Sequence, residues 1–222
     1  MNTSLAQITS TNEQVRLVIV GDSTVCNWPA ADSRRGWGMF IQDYFKPALQ
    51  VINLAKSGRS TKTFIKEGLW AAALKEKPAY VLIQFGHNDS HDSSKPEATD
   101  AATTYKDFLR QYIADCRANG ARPVLITPMC RRIFSPDGRL KDALLPYAEA
   151  MKAVATEMKV PLVDLHTASA QLFEQLGPTG SEKLANKPTD RTHFNEKGAK
   201  EMAALVMQKL PTVEPSLKNY LK

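Results

Sequence analysis

The chain has 222 residues, and 29 lysines and arginines against 23 aspartates and glutamates give it a formal net charge of +6. Hydrophobic residues make up 43% and charged residues 23%, which is typical of a globular protein with a sizeable core. These proportions exclude a disordered chain and a disulfide-dense miniprotein. The longest apolar stretch, residues 69–74, is far shorter than the roughly 20 residues that a membrane span requires. We therefore expect a single domain without a membrane span.

The cysteines and the first residues bear on the compartment. Cys26, Cys116 and Cys130 cannot all pair with one another, and their spacing matches no metal-binding motif. The first 14 residues lack the basic region and the apolar region of a signal peptide. Two interpretations stay open: a cytoplasmic protein, or a secreted or periplasmic mature chain whose signal peptide has been removed, which we favour.

Short apolar runs alternate with amphipathic stretches along the chain. Continuous runs of this kind are typical of strands buried on both faces of a parallel sheet, and five are present: residues 15–20, 50–54, 80–85, 123–127 and 160–165. Apolar residues recur with helical spacing over residues 105–116, 144–158 and 199–210. Asn195 is the expected N-cap of the last helix and Pro211 its end. The pattern predicts a three-layer α/β/α sandwich of the flavodoxin-like type, with a five-stranded parallel sheet.

Residues with catalytic chemistry follow the first three predicted strands, at the edge where such folds bind ligands, and a fourth group stands just before the last predicted helix. Ser23 comes two residues after the first strand and offers a hydroxyl nucleophile. Asp190 and His193 are three residues apart, so that one helical turn would bring the acid beside the base. Gly58 can present its backbone N–H at close approach, and Asn88 has a side-chain amide. Together they provide every role that acyl transfer requires.

These residues stand in four blocks that resemble the SGNH, or GDSL-type, hydrolases: Gly-Asp-Ser at 21–23, Gly58, Gly-His-Asn-Asp at 86–89 and Asp-Arg-Thr-His at 190–193. The stretches 36–38 and 53–60 are similar to the rhamnogalacturonan acetylesterase branch. The resemblance implies Ser23 as nucleophile, His193 as base and Asp190 as the acid that orients it. It implies an oxyanion hole formed by Ser23, Gly58 and Asn88. The implied reaction needs no cofactor and no metal.

The resemblance also implies the SGNH fold, with an N-terminal extension at residues 1–14, the hydrolase domain at 15–211 and a C-terminal tail at 212–222. The implied substrate is acetylated rhamnogalacturonan, and we expect substrate contacts from Trp37, His87, Arg59 and Arg191. The loops at the predicted edge are rich in lysine and arginine, so they would attract an acidic polysaccharide: Arg34, Arg35, Lys56, Arg59, Lys62, Arg131, Arg132 and Arg191. No nucleic-acid-binding motif is present.

Several alternatives stay open at this stage. Asp164 and His166 form a second acid–histidine pair after the fifth strand. The alternating His87, Asp89 and His91 have the residue types of a metal site. Other substrates for the same chemistry are acetylated xylan, small sugar esters and lipid esters. The scaffold could also serve as a carbohydrate-binding protein without catalysis.

Overall fold

The computed structural model describes residues 14–222 and contains one parallel sheet of five strands. The strands lie in the order β2-β1-β3-β4-β5, which is the flavodoxin-like order. Their bounds are Val15–Gly21 (β1), Leu49–Asn53 (β2), Tyr80–Gln84 (β3), Arg122–Ile126 (β4) and Leu162–Val163 (β5). The five-stranded α/β sandwich expected from the sequence is thus confirmed.

Helices cover both faces of the sheet because the strands are apolar on both. In β1, Leu17 and Ile19 belong to one hydrophobic cluster while Val18 and Val20 belong to the other. The helices are Thr61–Lys66 (α1), Leu69–Lys75 (α2), Thr104–Ala118 (α3), Leu145–Met158 (α4), Leu165–Glu182 (α5) and Glu196–Val213 (α6), with 3-10 helices at Trp37–Tyr44 and Pro215–Tyr220. The first cluster includes residues of α5, α6 and the two 3-10 helices, and the second includes residues of α1 to α4.

The strand order reverses direction at β1. Leu17 pairs with Val51 of β2 on one side and with Tyr80 of β3 on the other. The chain leaves β1 and β3 toward opposite faces of the sheet, which opens a crevice at their carboxyl ends. The segments after Gly21 and Gln84 therefore adjoin, and these segments carry Ser23 and Asn88.

The fifth strand is shorter than its apolar run predicts. It has two residues, because Asp164 already caps α5 by accepting a hydrogen bond from the N–H of Thr167. Helix α5 has no counterpart among the predicted helices, and it has a break at Gly177 just before Pro178. Asn195 caps α6 as predicted, but that helix continues past Pro211 to Val213.

The last residues pack onto the domain. Leu217 is buried, and the Ser216 hydroxyl lies 2.7 Å from that of Tyr80. Arg122 forms an ion pair at 3.0 Å with the buried Glu214. Most of the expected N-terminal extension, residues 1–13, lies outside the described residues. Within residues 14–222, no helix is long and apolar enough to cross a bilayer.

Candidate active site

A tight turn after β1 presents the Ser23 hydroxyl. One carboxylate oxygen of Asp22 accepts the N–H and the hydroxyl of Thr24, at 2.9 and 2.7 Å. The Asp22 carbonyl accepts the N–H groups of the residues three and four positions on. A Cβ on Gly21 would lie 2.6 Å from the Gln84 carbonyl oxygen, so the strand can leave the sheet here only with glycine. Asp22 therefore stabilises the turn that carries the hydroxyl.

The loop before α6 brings Asp190 and His193 to that hydroxyl. Asp190 Oδ1 accepts the backbone N–H groups of Thr192 and His193, which leaves Oδ2 free to face the ring at 3.0 Å from Nδ1. The opposite ring nitrogen, Nε2, lies 2.9 Å from Ser23 Oγ. A carboxylate, an imidazole and a hydroxyl thus form one continuous hydrogen-bonded chain.

The charge of Asp190 is held by its surroundings. Partial burial acts to raise its pKa, but the N–H groups of His193 and Thr192 and the adjacent imidazole outweigh burial and lower it. The carboxyl group is therefore ionised at neutral pH, as an acid that orients a histidine must be.

Arg132 supports the loop that carries Asp190 and His193. From the sequence it was expected only to be one of the basic residues that attract an acidic polysaccharide. Its side chain is only 1% exposed, and its guanidinium donates to the carbonyls of Asp190 and His193, at 3.1 and 2.7 Å. The same group stacks on the Phe194 ring, 4.3 Å from the centroid. Burial lowers the pKa of Arg132 to about 10, which leaves it charged at neutral pH. This role depends on contacts between residues that are far apart in the chain, which one sequence does not display.

Ser23, Gly58 and Asn88 are the three hydrogen-bond donors expected around the oxyanion. Gly58 has a φ of +79°, a conformation that suits glycine, and a Cβ there would meet nothing within 4 Å. Asn88 Nδ2 donates one hydrogen to the Arg59 carbonyl at 3.0 Å, which fixes the amide and leaves its second hydrogen available. Among residues 14–222, the backbone N–H groups of Ser23 and Gly58 have no hydrogen-bond acceptor.

Asp89 ties the loop that carries Asn88 to α1. Its carboxylate accepts the Thr61 N–H at 3.1 Å, the Thr61 hydroxyl at 2.5 Å and the Thr99 hydroxyl at 3.0 Å. Burial raises the pKa of Asp89 to about 7, against these hydrogen bonds. His91 instead pairs with Glu97 at 2.6 Å, so His87, Asp89 and His91 do not converge as metal ligands.

Two expected substrate contacts are wrong because the side chains are buried. Trp37 is fully buried in the core, where its indole N–H donates to Gln84 Oε1 at 2.7 Å. His87 is 2% exposed and faces Asp22 Oδ2 at 3.5 Å. Stacking on a sugar requires an exposed ring face, which neither side chain has.

Trp28 is the aromatic residue that borders the site. It is half-buried, its indole N–H donates to the Ser23 carbonyl at 3.0 Å, and its ring meets that of His193 edge to face at 6.1 Å. The Arg34 guanidinium lies 3.6 Å from the indole centroid. The sequence could not separate Trp28 from Trp37, since both flank the same turn.

Fewer of the lysines and arginines in the loops at this edge are accessible than the sequence suggests. Arg131 points inward and donates to the His87 carbonyl at 3.0 Å, and Arg132 is buried. Arg59 is partly exposed but pairs with Glu67 at 2.8 Å. Arg191 is 48% exposed and lies 3.6 Å from Glu182, which leaves it and the exposed Lys56 as the more accessible cations.

The competing acid–histidine pair does not form. Asp164 binds Thr167 and Lys152, whereas the His166 ring turns away to the Pro128 carbonyl and to Asp142. Cys26, close to Ser23 in the sequence, is no thiolate nucleophile, because burial raises its pKa to about 12.

Comparison with known proteins assigns this arrangement to a family. Residues 19–201 match the model of the GDSL-like lipase/acylhydrolase family. The chain belongs to this family. It is 37% identical to the rhamnogalacturonan acetylesterase RhgT of Bacillus subtilis, over 93% of this chain and 94% of that protein.

Solved structures of similar proteins have the same GDSL fold. The crystal structure of YxiM from Bacillus subtilis superposes with a TM-score of 0.79 at 30% identity, covering 90% of this chain and 56% of that one. The acetylxylan esterase Axe2 of Geobacillus stearothermophilus gives 0.70 at 19% identity, over 88% of this chain and 94% of its own. At that identity the second likeness concerns the fold alone.

Proposed function

We propose that this GDSL-family protein is a serine esterase that removes acetyl groups from rhamnogalacturonan, with Ser23 as nucleophile, His193 as base and Asp190 as its orienting acid. The observation that carries the proposal is the hydrogen-bonded chain from Asp190 through His193 to Ser23. Acid and hydroxyl contact opposite ring nitrogens, so the ring can accept a proton on Nε2 while the carboxylate stabilises the imidazolium through Nδ1.

In the first step, Ser23 Oγ attacks the acetyl carbonyl carbon and its proton passes to His193 Nε2. The carbonyl oxygen becomes an anion in the tetrahedral intermediate. The imidazolium then gives that proton to the sugar oxygen as the ester bond breaks, which releases the deacetylated sugar and leaves acetyl-Ser23.

In the second step, water replaces the sugar hydroxyl. His193 accepts one proton from the water as it attacks the acetyl-serine, and then gives that proton to Ser23 Oγ as acetic acid leaves. The acetic acid loses its remaining proton to solvent and becomes acetate. The free enzyme is regenerated with no net change in its protons. This sequence uses no redox step.

The oxyanion forms where Ser23, Gly58 and Asn88 converge. The N–H groups of Ser23 and Gly58 are free of protein acceptors, and the Asn88 amide is fixed by its bond to Arg59. Donors held in place before the reaction stabilise the developing charge without reorganisation, and one of them contributes about 100- to 1000-fold in turnover.

The substrate assignment rests on the likeness to RhgT and on the surroundings of the triad. The Trp28 ring borders the site, where it contacts His193. Arg191 is an accessible cation on the catalytic loop, which is the loop before α6 that carries Asp190 and His193. A cleft of about 410 Å³ lies between residues 132–138, α5 and Arg191, but no residue of the triad lines it, so it does not support the substrate assignment.

The deciding experiment compares acetate release from acetylated rhamnogalacturonan, acetylated homogalacturonan and acetylated xylan at equal acetyl concentration. We expect the highest kcat/KM on rhamnogalacturonan. A preference for xylan would contradict the polymer assignment and leave the esterase assignment intact.

The esterase assignment has its own test. A fluorophosphonate should label the wild-type chain stoichiometrically and should not label Ser23→Ala, while Cys26→Ala should label as the wild type does. Hydrolysis of p-nitrophenyl acetate by Ser23→Ala at the wild-type rate would refute catalysis by Ser23. A carbohydrate-binding protein without catalysis would bind polymer and not react with the label.

A further inference from the structure

A second cluster of reactive side chains lies at the carboxyl edge of the sheet, beyond β4. Cys130 follows β4, Asp142 precedes α4, and His166 is in the first turn of α5. One potential ligand atom from each lies within 4.8 Å of the others. Cys130 and His166 are buried, whereas the Asp142 side chain is 30% exposed. None of the three residues belongs to the four motif blocks.

The hydrogen bonds of His166 fix which nitrogen carries a proton. Nδ1 lies 2.8 Å from the Pro128 carbonyl oxygen, which can only accept, so Nδ1 must be protonated. In the neutral ring, Nε2 then presents a lone pair. That lone pair faces Asp142 Oδ2 at 2.7 Å and Cys130 Sγ at 3.4 Å. An imidazole lone pair and a carboxylate at this distance require a cation between them, either a proton or a metal ion.

The cluster is not a second catalytic triad. A relay needs the acid on one ring nitrogen and the nucleophile on the other, whereas Asp142 and Cys130 share Nε2. Without a cation, burial and the nearby Asp142 raise the pKa of the Cys130 thiol to about 12. The thiol is therefore not activated as a nucleophile.

We propose that Cys130, Asp142 and His166 bind a zinc ion that fastens the segment of residues 131–144 to the sheet edge. A thiolate, a carboxylate and a neutral imidazole are ligands that zinc takes, and the two negative charges balance the dication. The Nδ1–H bond to a backbone carbonyl is the support that metal-bound histidines commonly have. Binding releases two protons to solvent, one from the thiol and one from between His166 Nε2 and Asp142.

The three ligand atoms lie within 4.8 Å of one another, close to the separations of a tetrahedral ion. Zinc–ligand bonds of about 2.3 Å to sulfur and about 2.0–2.2 Å to nitrogen and oxygen place neighbouring ligand atoms roughly 3.4–3.6 Å apart. Cys130 Sγ and His166 Nε2 are already 3.4 Å apart. Asp142 must withdraw by about 0.7 Å on the same reasoning, which its partly exposed position permits. The solvent side remains open for water as the fourth ligand.

The ion would have a structural role. The segment of residues 131–144 leaves the sheet after Cys130, forms a bridge between Phe134 and Leu140, and returns at Asp142. Its two ends would thus be tied to each other and to α5. Because Arg132 extends from this segment to the carbonyls of Asp190 and His193, the ion would also steady the catalytic loop.

The test uses the full chain, purified, treated with a chelator and titrated with Co²⁺ as a spectroscopic substitute for zinc. We expect one equivalent to bind, with a thiolate-to-cobalt charge-transfer band that Zn²⁺ abolishes by displacement. Cys130→Ala should lose the band, and the matched control Cys116→Ala, which removes a buried thiol from α3, should keep it. Asp142→Asn should keep the band and weaken Co²⁺ binding by at least about tenfold.

A second measurement is independent of the cobalt spectrum. Stoichiometric Zn²⁺ should raise the Tm of the wild type and of Cys116→Ala, since a ligand that binds the folded state stabilises it, and leave Cys130→Ala unchanged. A wild type that binds no metal at micromolar concentration would mean that a proton alone joins His166 to Asp142, and the proposal would be wrong. A band that survives in Cys130→Ala would overturn it equally. Neither result bears on the esterase, whose test is the labelling of Ser23.

Discussion

Two acid–histidine pairs lie at the same edge of the sheet, Asp190 with His193 and Asp164 with His166. Only in the first pair does the aspartate contact the histidine ring. Asp190 stands three residues before His193 and binds its ring at 3.0 Å. Asp164 stands two residues before His166, but it caps α5 and pairs with Lys152. The acid–histidine spacing differs by one residue, and the local backbone differs completely.

The backbone explains this difference. After Asp190 the chain turns, so that two N–H groups bind one carboxylate oxygen and aim the other at the ring. After Asp164 a helix begins at once, and the carboxylate serves the exposed N–H of its first turn. An aspartate near a histidine therefore indicates a triad only where its carboxylate is not already used by a helix N-terminus.

Replacement of the two aspartates by asparagine should give the largest contrast. Asp190→Asn can offer its amide to Nδ1, which stabilises the wrong tautomer, and kcat on p-nitrophenyl acetate should fall by about 10⁴-fold. Asp164→Asn should change kcat less than about twofold, because asparagine is an equally good N-cap.

Circular dichroism and Tm of both variants control for folding. Equal losses of kcat in folded Asp190→Asn and folded Asp164→Asn would break the distinction drawn between the two pairs.

The oxyanion donors give the next effect in size. Asn88→Ala removes a fixed donor, and kcat should fall by about 100- to 1000-fold with little change in KM. The matched variant is Asn53→Ala, since Asn53 ends strand β2 at the same edge of the sheet but donates its amide to the Val25 carbonyl and to Asn27 Oδ1. We expect Asn53→Ala to lower Tm and to retain kcat within about threefold. A loss of kcat as large as that of Asn88→Ala would show that the amide acts through the fold.

These comparisons also show what one sequence reveals. The strands β1, β3 and β4 are predictable because their apolar runs are buried, and the edge strand β2 is predictable from its short apolar run although most of it is only partly buried. Three of the four motif blocks follow strands whose ends meet, and the fourth precedes α6. The fifth strand was predicted too long because a polar cap, Asp164, falls inside its apolar run. The positions of Trp28 and Trp37 depend on how the turn after β1 packs, so composition cannot say which indole borders His193. Arg132 contacts residues about 60 positions away, beyond any local signal.

Asp89 is a third aspartate at this edge, and its pKa is shifted in the direction opposite to that of Asp190. Burial raises the pKa of Asp89 to about 7, above the value of roughly 3.9 expected in the unfolded chain. The stability that protonated Asp89 contributes is therefore fully present below about pH 4 and is lost as the pH rises through 7.

Urea unfolding at pH 4.5 and at pH 8 should show this loss in the wild type, on the order of a few kcal/mol. The side chain of Asn in Asp89→Asn cannot ionise. The free energy of unfolding of this variant should therefore fall less than that of the wild type between pH 4.5 and pH 8, by the same few kcal/mol. An identical pH dependence in wild type and Asp89→Asn would mean that folding does not raise the pKa of Asp89 and that its carboxyl group is already ionised in the folded chain well below pH 7.

The smallest effect should come from Arg191, which lies between Asp190 and His193 in sequence but points to solvent. Its charge can attract an acidic polymer without altering the triad, so Arg191→Gln should raise KM on acetylated rhamnogalacturonan by about two- to fivefold at low salt. Added salt should reduce this difference, and kcat should not change. Arg117→Gln, in the last turn of α3, removes the same charge far from the site and should leave KM unchanged. A rise in KM that is equally large on neutral acetylated xylan would mean that Arg191 shapes the catalytic loop, and the electrostatic explanation of polymer choice would fail.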